Sequence, residues 1–393
     1  MPLIVRARRF VWGRACLVAG LASTASLAAE VDNFTPRLHD KTQKAAGKAP
    51  LSDASAVLNG EVNRLIADAV ATVNKANFMR NRGRIRCDVR EQVEAAESEI
   101  IEEFLRKSGG QLVAGYEAWV DETPVLEASR LSSPDGGVYR HRGVFNSVTR
   151  LFEGPFQFAR ISSTVKIGEH YIGSDKLGHF FSHGWDYYRS YREEIKRGAE
   201  ALGPPSRQGE YGKVLRYADE QAAKIGVAQE EGSYGQGGTG VYSYGDLNAN
   251  YQGMRFWADF IHGDRPFVTC DGGVWKVTAR AFDWNDYVSA AMDEGVNCSR
   301  YEGNTGYAVR KHVAELGLTP AGQAWCPVEK DGCEKLRDVP YEWMVTPVCQ
   351  AIWRSFRVQA EPEREPSSLS KPSLLKSNAK SLPSYPHRKG KLQ

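Results

Sequence analysis

The 393-residue chain has no uninterrupted apolar stretch of about 18 residues and its mean hydropathy is negative, which argues against a bundle of membrane-spanning helices. Strong charge of either sign is missing too. Lys+Arg 51 against Asp+Glu 48 leaves +3, without the concentrated basic face of a nucleic-acid binder. Several catalytic signatures are also absent. There is no H-E-x-x-H and no G-x-S-x-G, and the phosphatase pairing of Ser-x-His with Arg-x5-His does not occur. Ser163-Thr164-Val165-Lys166 fits S-x-x-K, but so do Ser368–Lys371 and Ser373–Lys376 near the C-terminal end, and the companion S-D-N and K-T-G elements are lacking.

What is present divides the chain unevenly. Residues 1–28 read as a secretory signal. Arg6, Arg8, Arg9 and Arg14 form a charged region, Ala15 to Leu27 is apolar and small, and Ser26-Leu27-Ala28 offers a small-x-small cleavage site. An N-terminal anchor is the alternative, disfavoured by a short core studded with Gly, Ser and Thr. Arg8-Arg9-Phe10 hints at twin-arginine export. Residues 361–393 are rich in Pro, Ser and Lys and cannot bury enough apolar surface to offset ordering entropy. They read as a disordered basic tail, able to touch anionic surfaces. The signal holds four basic residues and no acids, and the tail holds seven bases and three acids, so the body keeps 40 bases against 45 acids. The folded part is acidic, favouring cationic, neutral or metal-bridged ligands over polyanions.

Cysteine is sparse but grouped. Without Cys16, six remain: Cys87, Cys270, Cys298, Cys326, Cys333 and Cys349. An even count in an exported chain suggests disulfides, with pairing left open and Cys326 and Cys333 near enough for a local loop. A zinc site lacks any C-x2-C pair and has only His312 nearby. The location implied is periplasmic or secreted.

The body reads as predominantly α. Val57, Leu58, Val62, Leu65, Ile66, Ala69, Val70 and Val73 recur at three- and four-residue spacing between about Ser52 and Ala76. Val93, Ala96, Ile100, Ile101 and Phe104 do the same over Val89–Lys107. Further helical patterns cover Leu177–Gly198, Glu210–Glu230, Leu247–His262 and Asp283–Glu294, with one strand candidate at Val274–Phe282. The organisation expected is a helical core domain over 29–265 and a disulfide-stapled, loop-rich subdomain over 266–360.

Two polar constellations carry the chemistry. In Ser174-Asp175-Lys176-Leu177-Gly178-His179-Phe180-Phe181-Ser182-His183, Asp175, His179 and His183 fall at i, i+4 and i+8 on one helix stripe. Asp186 lies near the same stripe. Such a set could hold a divalent metal, or pair a carboxylate with an imidazole for proton transfer. Ser174 or Asp175 is equally a plain N-cap. In the run Ser243 to Gly253, Asp246 and Asn250 are i, i+4 neighbours, and Gly253 on the same side admits a second helix closely. A capping box with Ser243 accounts for Asp246 alone. The glycine-rich run Gly232–Gly245 reads as a loop, lid or anion cradle, without the P-loop Lys-Ser/Thr. Near Asp283–Tyr301, aromatics beside Asp293 and Glu294 could grip a sugar, with one carboxylate as glycosidase acid, or form a capped helix next to a disulfide.

Asp175, Lys176, His179 and Phe180, then Glu230 or Glu231, then Asp246, Asn250 and Gly253 together resemble the VanZ-like group of envelope proteins, which share a DKxxHF element. The likeness spans about 80 of the 393 residues. Members are typically multi-helix membrane proteins, whereas these helices are too polar to span a bilayer, so it implies a shared polar site rather than a known reaction. The expected site sets His179 as base and Asp175 as its orienter, with Asp246, Asn250 and Glu231 completing it and Lys176 and Arg255 as anion contacts. Asp175, His179 and His183 are the metal candidates. An exported hydrolase acting on an envelope glycan or lipid component is one implication; a non-catalytic binding or scaffold protein with a structural polar cluster is the other.

Overall fold

The computed structural model describes residues 29–81, 86–107, 114–132, 137–140, 160–202, 208–232, 235–318, 326–328 and 330–360. The expectations for residues 1–28 and 361–393 lie outside these.

Helices dominate, as the periodicity implies. They are α1 (Phe34–Ala45), α2 (Ser55–Asn81), α3 (Arg90–Lys107), α4 (Ala114–Glu122), α5 (Ser174–Leu202), α6 (Gln208–Glu231), α7 (Tyr244–His262), α8 (Gly303–Glu315) and α9 (Pro347–Ala360), joined by shorter helical turns. On α2 the repeating apolar residues from Leu58 to Val73 are buried; Val57 is the exception, at 37% exposure. Ala96, Ile100, Ile101 and Phe104 of α3 are buried in the same core.

The strands are short and more numerous than the single expected one. β1 (Ala29–Val31) runs parallel to β3 (Arg160–Ser162), and β2 (Arg130–Leu131), β4 (Thr164–Ile167) and β5 (His170–Gly173) form an antiparallel trio. β6 (Val241–Tyr242) pairs with β9 (Arg300–Tyr301), and β7 (Val268–Asp271) with β8 (Val274–Val277). The strand candidate thus ends at Val277, five residues early.

The helix expected over Asp283–Glu294 is a correction. Only Trp284–Asp286 is helical, as a 3-10 turn. Side chains take the backbone groups that a helix would need. Asp283 accepts from Asn285 N, Asn59 of α2 accepts from Trp284 N at 2.8 Å, and Asn297 donates to the carbonyl of Ala291 at 2.9 Å.

Helices α5 and α7 form the centre of the molecule. Their backbones meet where Gly184 faces Gly253: a Cβ on Gly253 would stand 1.8 Å from Phe180 O, and one on Gly184 2.6 Å from Gly253 Cα. Gly253 is therefore the contact glycine its position suggested. Around the crossing, Phe180, Phe181, Phe256 and Trp257 pack edge-on with Phe104, Phe282 and Trp284, and the Trp257 indole donates to Phe181 O at 2.9 Å. This core crosses residue 265, since Phe267, Trp275, Phe282, Trp284 and Met344 belong to it.

All six described cysteines pair: Cys87–Cys270, Cys298–Cys326 and Cys333–Cys349. The Cys326–Cys333 loop does not form, since each pairs elsewhere, and His312 Nδ1 meets the carbonyl of Val138 at 2.7 Å. Closing the 183-residue and 16-residue separations limits the unfolded chain by about 5 and 3 kcal/mol respectively.

Gly253→Ala should cost about 3 kcal/mol or more by forcing α5 and α7 apart. Gly60→Ala, on α2 with nothing within 4 Å of the added carbon, should gain about 0.5–1 kcal/mol. Urea denaturation of both variants against wild type measures the contrast; equal effects would place the close contact elsewhere.

Candidate functional site

Strand β5 delivers the chain into α5 at Ser174, whose N–H donates to Ser163 O at 2.8 Å and whose hydroxyl donates to Asp121 Oδ1 at 2.6 Å. The next residue, Asp175, caps its own turn by accepting from Lys176 N at 2.7 Å. Helix α7 starts with Ser243 as N-cap, accepting from Asp246 N at 3.0 Å. In a capping box the acid at Asp246 would reach back to Ser243 N. Here Glu230, from the end of α6, takes that N–H at 2.9 Å. The Asp246 carboxylate is thereby free to turn inward.

It turns to Lys176. The Lys176 ammonium lies 2.6 Å from Asp246 Oδ1, 2.7 Å from Asp175 Oδ2 and 3.0 Å from Glu294 Oε1. Glu294 also accepts from the Ser243 hydroxyl. Gly245 leaves room for this: a Cβ there would stand 2.9 Å from Lys176 Cε. Beside the cluster, His179 Nε2 faces Asp246 Oδ2 at 3.6 Å, and Nδ1 meets Asn250 Oδ1 at 3.1 Å. The Asn250 amide in turn donates to the Tyr187 hydroxyl at 3.4 Å. The Lys176 and Asp175 side chains are 1% and 0% exposed, those of His179 and Asp246 9% and 7%, so the histidine edge is the outer one.

Burial sets the protonation of this group. It works against the Lys176 charge, but Asp175, Asp246 and Glu294 outweigh it and hold the ammonium well above the usual lysine range. Burial, reinforced by Asp246 and Glu294, raises the Asp175 carboxyl well above its ordinary value against the pull of Lys176. Glu230 is raised well above its own by burial and by Asp246. Burial would raise Asp246 too, but the charge of His179 when its ring is protonated, and that of Lys176, prevail and lower it. Burial pushes His179 down to about 4 despite Asp246, so its ring is neutral at pH 7. With the Asn250 oxygen accepting, the proton sits on Nδ1 and the Nε2 lone pair points at the Asp246 side.

The structure brings Asp175, His179, Asp246 and Asn250 into one cluster, but with different roles. Asp175 binds Lys176 rather than orienting His179; Asn250 and Asp246 hold the ring. Glu231 is exposed, and its neighbour Glu230, at 1% exposure, is the acid inside. The metal set of Asp175, His179 and His183 is corrected: no group of three or more His, Cys, Asp or Glu among the described residues is arranged to hold an ion. An ammonium already stands between the carboxylates, and His183 faces Asp186. Arg255 donates to Gln252 at 2.7 Å, and its charge acts on Asp219. Of the two carboxylates in the glycosidase alternative, Asp293 binds Arg37 and accepts from Tyr171 N at 2.9 Å, and Glu294 is held by Lys176 and Ser243. At the end of the glycine-rich run, two N–H groups of the α7 start are taken by Glu230 and Ser243, which leaves less for an anion.

Replacing Lys176 with Met should cost about 3–5 kcal/mol, since it leaves buried carboxylates without their cation. The depressed His179 value predicts a pH effect of known sign. The unfolded imidazole binds a proton below about 6.5 and the folded one only below about 4, so its contribution is full above pH 6.5 and lost as the pH falls to 4. Wild type should therefore lose on the order of 3 kcal/mol relative to His179→Gln across that window. Denaturant titrations at several pH values measure the difference; parallel curves would show a histidine with an ordinary affinity for protons. Compared with known proteins, the chain matches no family model, no curated protein and no solved structure.

Proposed function

We propose that this is an exported cell-envelope protein, periplasmic or secreted, whose His179–Asp246 edge serves as the acid–base couple of a hydrolase acting on an envelope glycan or lipid component. The observation that carries this reading is a neutral imidazole, fixed by Asn250, whose open nitrogen faces an ionised carboxylate at the outer edge of a buried charge cluster. His179 Nε2 takes a proton from the attacking water, and Asp246 stabilises the imidazolium that results. Lys176 keeps Asp246 ionised throughout. Three disulfides support an oxidising compartment, and no helix among the described residues is long and apolar enough to cross a membrane. The acidic body suits a neutral or cationic substrate. The likeness to VanZ-like proteins rests on the motif residues and supports a shared polar site.

One observation favours a second reading, a binding or scaffold protein with a structural cluster. All three N–H directions of Lys176 are matched by carboxylates, so it has none to offer a ligand. The two readings separate in one assay. Purified protein is incubated with peptidoglycan fragments and with glycerophospholipid vesicles, and products are followed by mass spectrometry. Turnover that falls about 100-fold or more in His179→Gln and Asp246→Asn, with melting temperature kept, supports the hydrolase. Wild type inert on both substrate classes sinks it.

A further inference from the structure

The His179–Asp246 couple lies beneath the surface, and a base that turns over must exchange its proton with solvent. One turn along α5, the His183 ring stands 4.7 Å from that of His179, centroid to centroid. His183 Nδ1 faces Asp186 Oδ2 at 3.6 Å, and the Asp186 side chain is 37% exposed where that of His183 is 8%. Asp186 is thus the more exposed of the two and brings the line to the half-open surface. Arg189, one turn on, donates to Asp186 Oδ1 at 2.6 Å and fixes it.

We propose that His183 and Asp186 form the proton port of the His179–Asp246 couple, an inference that rests on the acid–base reading of that couple. An imidazole accepts a proton on one ring nitrogen and releases one from the other, so each passage leaves it neutral. Outbound, the proton on His179 Nε2 passes to the His183 ring while the one on His183 Nδ1 passes to Asp186 Oδ2 and then to water; neither link is a hydrogen bond at rest, so each transfer needs the groups to draw closer. Inbound, the order reverses. Burial acts to raise the Asp186 carboxyl, but His183 and Arg189 outweigh it and hold it below the usual range, which keeps it ready to accept. Charged groups that act on this line include Lys176 and Arg189 on α5 and Asp246 on α7. Asp186 combines contact with His183 and a half-open side chain.

The test uses the full mature protein, labelled with 15N-histidine, and needs no substrate. Gain and loss of the proton at His179 Nε2 are timed by 15N NMR relaxation of that nitrogen near pH 4, where the ring titrates, in wild type, His183→Gln and Asp186→Asn, with and without added imidazole. Slowing by about tenfold or more in both variants, relieved by imidazole as a diffusible carrier, is the expected result. An unchanged rate in either folded variant, or a slowing that imidazole does not relieve, overturns the port. Asp186→Asn, at a half-open position, serves where His183→Gln does not fold. Because the readout is exchange rather than turnover, the port fails or stands separately from the hydrolase.

Discussion

One ammonium group organises the centre of this protein. Lys176, on the first turn of α5, is surrounded by carboxylates from its own helix, from the first turn of α7 and from the turn that carries Glu294. Three segments distant in sequence therefore share one buried cation. A charge so far from water is tolerated only with close partners, and each partner is tolerated only because of it. Helix starts, the glycine at 245 and the neutral histidine alongside all follow from that mutual need. The excess of carboxylates over cations divides their affinities for protons: those of Asp175 and Glu230 are raised, while that of Asp246, nearest His179, is lowered.

Much of the scaffold was legible in the sequence. The apolar spacing of α2 and α3 located both helices and nearly all their buried residues, because a stripe of 3.6-residue period has few ways to be buried. Gly253 was legible for a similar reason: on a helix face otherwise lined by side chains, a missing Cβ marks an approach. The turn over Asp283–Glu294 misled because its amphipathic spacing is real, yet Asn59 and Asn63, remote in sequence, bind the backbone of Trp284 and of Phe282 just before it, and Asn297 takes the carbonyl of Ala291. No local pattern reports such ties.

The site was half legible. Asp175, His179, Asp246 and Asn250 stood out through spacing and do share a cluster. What spacing could not show is direction. Asp175 and His179 lie on one stripe, but the carboxylate bends toward its neighbour Lys176, since the burial of that charge outranks an interaction with a neutral ring. Glu294 was not assigned to this cluster because nothing local distinguishes it from Asp293, which faces Arg37 instead. The choice between Glu230 and Glu231 was likewise a question of helix phase: adjacent residues point about 100° apart, and one of the two must face solvent.

The Cys87–Cys270 bond has a topological meaning beyond its effect on the unfolded chain. Asp175, Lys176, His179, His183, Asp246 and Asn250 all lie inside the covalent ring that it closes. A protease that severs one peptide bond between residues 88 and 269 opens the ring without releasing a fragment, so α5 and α7 stay on a single covalent molecule. In a compartment rich in proteases, the two halves of the cluster would part company only after a second cut or a reduction.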